Sequence, residues 1–267
     1  MKSTLILLAF LGSPLSHAAL TIGDVIFNEY SSDNIGTDPT TRDFFELLIV
    51  ANGADLRGLR VSDNELTSST GALNNNESVI IFGNHSFFEA VPAGTLITIW
   101  IAGTGTGPAS GITTDTVASF AANDWSMSLT SGTGITISDD GLTGSTSAGL
   151  SASGDALYLY LPGGDGNSGG TDNIYLDFIS WEIDNAVAPD GLFDINLTSV
   201  ADNAYYTGNT VAGNDTVANW TKDDGPDLGT PGAPNTNQDL SALRAIPEPA
   251  SSLLSGLGIL CLLRRRR

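Results

Sequence analysis

Apolar residues in this chain come in short alternating segments, each bounded by glycine, asparagine, aspartate, serine or proline. Alternation with a period of two is the signature of a strand, whose successive side chains point to opposite faces. Gly23 to Tyr30 sets Val25 and Phe27 on one face and Ile26, Asn28 and Tyr30 on the other. Asp43 to Val50 is an apolar run around Glu46, and Leu56 to Val61 and Val79 to Phe82 are further candidates. Leu96 to Ile101 aligns Ile97, Ile99 and Ile101, while Ile135 and Ile137 alternate with Thr136 and Ser138. Ala156 to Leu161 sets Leu157, Leu159 and Leu161 against Tyr158 and Tyr160. Ile174 to Trp181 sets Ile174, Leu176 and Phe178 against Tyr175, Ile179 and Trp181. Helical periodicity is nearly absent outside the two ends, with one or two turns at Ser86 to Val91. Many short strands separated by turn clusters predict an all-β antiparallel sandwich.

Both ends follow other rules. Lys2 precedes the apolar run Leu5 to Leu11, and Ser16-His17-Ala18 places small residues at −3 and −1. This is the pattern of a secretory signal peptide, residues 1–18, cut after Ala18 by signal peptidase. At the other end, Pro247-Glu248-Pro249 leads into the apolar run Ala250 to Leu263, and Arg264, Arg265, Arg266 and Arg267 follow. The prolines keep the approach extended. The basic cluster holds the far end of an inserted segment in the cytoplasm. The run is shorter than the ~20 apolar residues of a stable span, which suits transient insertion. In its order of parts this tail resembles the PEP-CTERM sorting signal of Gram-negative bacteria, with Ile246 where valine is usual. The resemblance implies processing by exosortase, a membrane transpeptidase-like enzyme, and delivery to the envelope, surface or extracellular matrix. Residues 241–249 are expected to link the body to a sorting helix at 250–267.

Without these ends the composition sharpens. Arg42, Arg57, Arg60, Lys222 and Arg244 face 29 of the chain's 30 acidic residues, Glu248 lying in the tail. So acidic a surface repels nucleic acid and favours cations. The single cysteine, Cys261, lies in the tail. No disulfide can staple the body, and its stability must come from a buried core.

Several segments, in order, resemble the lamin-tail domain, an immunoglobulin-like β-sandwich. They are Ile26-Phe27-Asn28-Glu29, Asp43-Phe44-Phe45-Glu46-Leu47 and Asp55-Leu56-Arg57-Gly58-Leu59-Arg60-Val61-Ser62-Asp63. Then come Leu150-Ser151-Ala152-Ser153-Gly154-Asp155-Ala156-Leu157, the strand ending at Trp181, Trp220, and Gly229-Thr230-Pro231-Gly232-Ala233-Pro234-Asn235. The resemblance implies one sandwich over residues 19–240. Polar stretches near 102–150 and 182–219 read as insertions with added strands, since an immunoglobulin-like domain needs only ~100 residues.

Catalytic signatures are thin. Glu29 and Glu46 interrupt apolar strands, so each needs solvent or a partner. A bridge to Arg57 or Arg60 is the simple explanation, and no nucleophile accompanies them for acid–base work. His85, in Gly83-Asn84-His85-Ser86, would have to serve any Ser-His-Asp triad. One histidine and no body cysteine cannot build a common zinc site. Pro231 and Pro234 read as an extended terminator of strand pairing. Calcium, which takes oxygen ligands on loops, is the one cofactor held open, with Asp139, Asp140, Asp165 and Asp172 as candidate ligands. Asp-Gly turns explain the same residues.

The expected protein is an exported, non-enzymatic surface or matrix component of an exopolysaccharide or biofilm layer. A carbohydrate- or calcium-binding module is the alternative, with Tyr158, Tyr160, Trp181 or Trp125 stacking on sugars if exposed, although a core position is the favoured reading of these aromatics. A secreted hydrolase is the third reading.

Overall fold

Where the sequence alternates, strands form. They are β1 (Val25–Ser31), β2 (Phe44–Ile49), β3 (Arg60–Ser62), β4 (Val79–Phe82), β5 (Leu96–Trp100) and β6 (Ser126–Thr130). The chain continues through β7 (Ile135–Ser138), β8 (Asp155–Leu161), β9 (Ile174–Trp181), β10 (Asn196–Leu197), β11 (Asn203–Tyr206) and β12 (Trp220–Asp223). Helix is confined, among the described residues, to 3-10 turns and to α1 (Val211–Asn214) and α2 (Ser241–Arg244). The computed structural model describes residues 19–32, 43–74, 77–101, 115, 124–130, 135–138, 149–151, 153–164, 166, 168–182, 186–192, 196–197, 203–208, 210–223 and 229–245.

Two sheets result, in the orders β12-β11-β1-β2-β5-β6 and β10-β9-β8-β3-β4-β7. They pack face to face. Tyr30 of β1 stacks on Trp181 of β9, rings 4.1 Å apart and 20° from parallel. Phe45, Leu47, Ile97 and Ile99 from the first sheet and Leu157, Leu159 and Ile179 from the second join one buried cluster. This shared core does the work that disulfides do in many exported domains.

The expectation of a wholly antiparallel sandwich needs correction at the edges. β6 runs parallel to β5, and β10 runs parallel to β9. A parallel pair needs a long crossover, and the 25 residues between β5 and β6 are enough for one. The stretch near 102–150 gives an edge strand to each sheet, β6 to the first and β7 to the second. The stretch near 182–219 gives β10 to the second sheet and β11 to the first. β6 has its own alternation, with Met127 and Leu129 buried between half-buried serines.

Two bulges overrule simple alternation. In β1 the register shifts between Phe27 and Glu29. Asn28 and Glu29 therefore both contact the closing segment, while Tyr30 turns into the core. In β9 the pairing steps from Asp177 to Tyr175 opposite Leu159 and Tyr160. Leu176 consequently packs with Ile179 and Trp181, not with Phe178. A one-residue insertion inverts side-chain facing beyond it.

The outer face of the second sheet is covered as well. Leu66, Leu73, Val79, Tyr158, Tyr160 and Phe178 form a second apolar cluster, backed by Val187 and Leu192. Tyr158 donates to the Val187 carbonyl at 3.1 Å, and Tyr160 pairs with Ser168 at 2.7 Å.

Candidate functional site

Glu46 sits fully buried in the middle of β2, facing away from the inter-sheet core. Its neighbours on β1 and β5 are polar for that reason. Asn28 donates to its Oε1 at 2.8 Å, and Thr98 to its Oε2 at 2.7 Å. The amide of Gly232 completes the set at 2.5 Å. Burial pushes the carboxyl up to about 7, and these hydrogen bonds, with the Arg244 charge, oppose that rise. The anticipated Glu–Arg bridge is replaced by this arrangement. Arg57 instead pairs with Asp55 at 2.5 Å and Glu89 at 3.5 Å, and Arg60 donates to the Gly58 carbonyl at 2.6 Å.

The segment 229–238 thus closes over the first sheet rather than extending away from it. The Ala233 amide bonds the Thr230 carbonyl at 2.8 Å, so the proline-flanked glycine lies in a turn. The Thr230 amide approaches Glu29 Oε2 at 3.4 Å. Gln238 bonds Asn28 Oδ1 at 2.7 Å, and Asn235 bonds the Tyr206 carbonyl at 3.1 Å. Beside this turn lies a cavity of about 300 Å³ lined by Thr98, Trp100, Ser126, Ser128 and residues 231–233. α2 follows, with Arg244 donating to the Gly94 carbonyl at 2.9 Å and lying 5.6 Å from the Trp125 ring centre. Residues 241–244 therefore dock on the body.

A different set of carboxylates gathers at one end of the second sheet. β3 lies between β4 and β8, with Ser62 opposite both Val79 and Tyr158. The chain leaving β3 therefore runs between the residues entering β4 and those opening β8. Carboxylate oxygens of Glu65, Glu77 and Asp155 lie within 4.8 Å of one another. Asp63 is buried next to them, and neither of its oxygens has a hydrogen bond of ordinary geometry, the Asp63 and Gly149 amides standing only near enough to oppose its rise. Burial, then the charges of Glu77 and Asp155, push its carboxyl well above the usual range. Glu77 is pushed up to about 7 by burial and by Glu65. Asp155 is pushed up to about 8, chiefly by burial, although the Ser151 and Ala156 amides bond it. Among the described residues no ion pair involves any of the four. The sequence signal was present in Asp63-Asn64-Glu65 and Glu77, but only strand register shows that they meet Asp155.

The other candidate residues fall elsewhere. Asp172 is exposed and accepts from the Gly164 amide at 2.8 Å, which makes it a turn residue. Asp139, Asp140, Asp165, Ala18, Pro247, Glu248, Pro249 and Arg264 to Arg267 lie outside the described residues. His85 caps a 3-10 turn, its Nδ1 accepting from the Phe87 amide at 3.2 Å. Tyr158, Tyr160 and Trp181 are buried, which removes them as sugar-stacking platforms; their alternating faces are both core faces. The guanidinium of Arg244 lies over Trp125, which is half-buried.

A family model described as the PEP-CTERM protein-sorting motif matches residues 245–267. No curated protein and no solved structure matches the chain. No helix among the described residues is long and apolar enough to cross a membrane. The chain carries a PEP-CTERM sorting motif, which directs exosortase-dependent sorting to the cell surface or extracellular space.

Proposed function

We propose that the protein is a non-enzymatic component of the cell surface or of the extracellular exopolysaccharide matrix. Export begins with signal peptidase, and exosortase processes the tail after transient membrane insertion. The observation that carries this reading is the sorting motif at 245–267, which starts directly after the docked turn α2. The folded body is thereby held close to the processing point, with Arg244 fastened to Gly94. A structural rather than catalytic role is supported by the use made of the strand carboxylates. Glu46 binds a backbone amide of the closing segment, and Glu29 lies against the same segment.

We infer a lamin-tail-like sandwich for the body. Three of the resembling segments, around Asn28-Glu29, Glu46 and Gly229 to Asn235, meet at one place in space. The added edge strands account for its excess over the seven to nine strands of an immunoglobulin domain.

Mass spectrometry of the C-terminus of surface-exposed protein tests the sorting route. Loss of Arg264 to Arg267 is expected, and an intact Arg267 on surface protein would contradict processing. Pull-down of extracellular polysaccharide by the surface-released protein tests the matrix role. Recovery in the unbound fraction with every polysaccharide tried would remove it.

A further inference from the structure

We propose that Asp63, Glu65, Glu77 and Asp155 form a calcium site that fastens β3, β4 and β8 together at one end of the second sheet. Two independent observations meet there. Glu65, Glu77 and Asp155 already converge to 4.8 Å. Asp63 stands beside them at 3% exposure with no hydrogen bond of ordinary geometry to either oxygen, and it feels the charges of Glu77 and Asp155. Glu77 Oε2 is likewise buried without a hydrogen bond. Buried polar atoms are nearly always satisfied, and a buried carboxylate without partners is more costly than a neutral group. A cation bound among these oxygens satisfies all of them at once.

The donors specify the ion. All four are carboxylates, with no imidazole or thiolate, so the site suits a hard cation. Calcium takes six to eight oxygens at ~2.3–2.6 Å with flexible geometry. Magnesium demands near-octahedral contacts at ~2.0–2.1 Å and keeps several waters, which a buried Asp63 does not accommodate. Glu65 and Glu77 are half-exposed and leave a way in. The scaffold is fixed before the ion arrives. The Glu77 amide bonds Asn64 Oδ1 at 2.9 Å, and Asn64 bonds Ser62 Oγ at 2.9 Å. The Asn74 side chain bonds Glu65. Calcium sites of extracellular modules dissociate at about 10⁻⁴–10⁻³ M, and a surface destination suits a site of that class. This cluster is distinct from the loops around Asp139, Asp165 and Asp172.

The test uses the full chain, stripped with chelator and titrated with calcium chloride by calorimetry and by thermal melting at neutral pH. One ion per chain and a higher melting temperature in calcium are expected. Asp63→Asn, Glu77→Gln and Glu65→Gln should each weaken calcium binding at least about tenfold. The same variants should raise the melting temperature in chelator, because each removes a like charge. Glu65 is half-exposed, so its variant folds even where the buried one does not. An identical melting temperature in millimolar calcium and in chelator would overturn the site. So would a calcium response that survives in all three variants, or an equal response to magnesium.

Discussion

At the level of single residues, the buried polar groups carry the most specific information. Asp177 of β9 faces the opposite sheet and accepts the Phe27 amide at 2.6 Å and Asn214 Nδ2 at 3.1 Å. Burial pushes it up to about 7. Asp177→Ala strands the buried Phe27 amide, which costs about 1–3 kcal/mol when left unpaired, and leaves Asn214 Nδ2 only its 3.4 Å contact with the Phe27 carbonyl. Chemical denaturation should register a loss in that range, and a smaller one for Asp177→Asn, which keeps an acceptor. Trp181 is fully buried against Tyr30. Trp181→Ala should cost about 3–5 kcal/mol, as large aromatic truncations do. A loss below ~1 kcal/mol by the same assay would be inconsistent with its place in the inter-sheet core. The sequence favours a core position for Trp181 but gives no hint of its stacking partner, and Asp177 reads there only as one polar break in an apolar strand.

Elements show where local pattern is sufficient and where it fails. Strands β1, β5, β7, β8 and β9 were legible from alternation, and β2 and β4 from short apolar runs between turn residues, because both signals need only neighbours along the chain. The bulges were not, since they depend on the partner strand. The closing segment is legible in part. Its prolines end strand pairing as expected, but the segment is not extended: Gly229 and Gly232 take left-handed φ of +57° and +82°. A Cβ on Gly229 would collide with Glu29 Oε1. Gly229→Ala should therefore displace the segment and cost about 1–3 kcal/mol, from strain and collision together. Amide exchange should quicken at Gly232 and Thr230 before it quickens in the inter-sheet core. Equal exchange in the wild-type protein and in Gly229→Ala would show that the segment does not depend on this turn.

Over the whole molecule, acidity couples stability to pH. Glu46, Glu77 and Asp177 titrate near 7 and Asp155 near 8 in the folded chain, against ordinary values of 4.5 for Glu and 3.8 for Asp. Between these limits the folded state holds protons that the unfolded state has released. Stability is therefore greatest below pH ~4 as far as these groups decide it, and falls as pH rises towards ~8. Each of the buried groups Glu46, Asp155 and Asp177 contributes a slope of at most about 1.4 kcal/mol per pH unit within its window, and half-exposed Glu77 contributes less because solvent screens it. In chelator, the melting temperature should fall steadily from pH 5 to pH 8. Asp177→Asn should flatten part of that fall, and a rise over the interval would refute the assignment.

The sequence by itself determined the all-β class, the disulfide-free acidic body and the sorting tail. Each follows from composition or from spacing along the chain, where a residue need only know its neighbours. Tertiary structure decided which face each strand shows, how Glu46 is satisfied and which carboxylates meet. Asp63, Glu77 and Asp155 are far apart in the chain and adjacent only because β3 is hydrogen-bonded between β4 and β8. Register is a property of strand pairs, so no single segment could encode that encounter legibly.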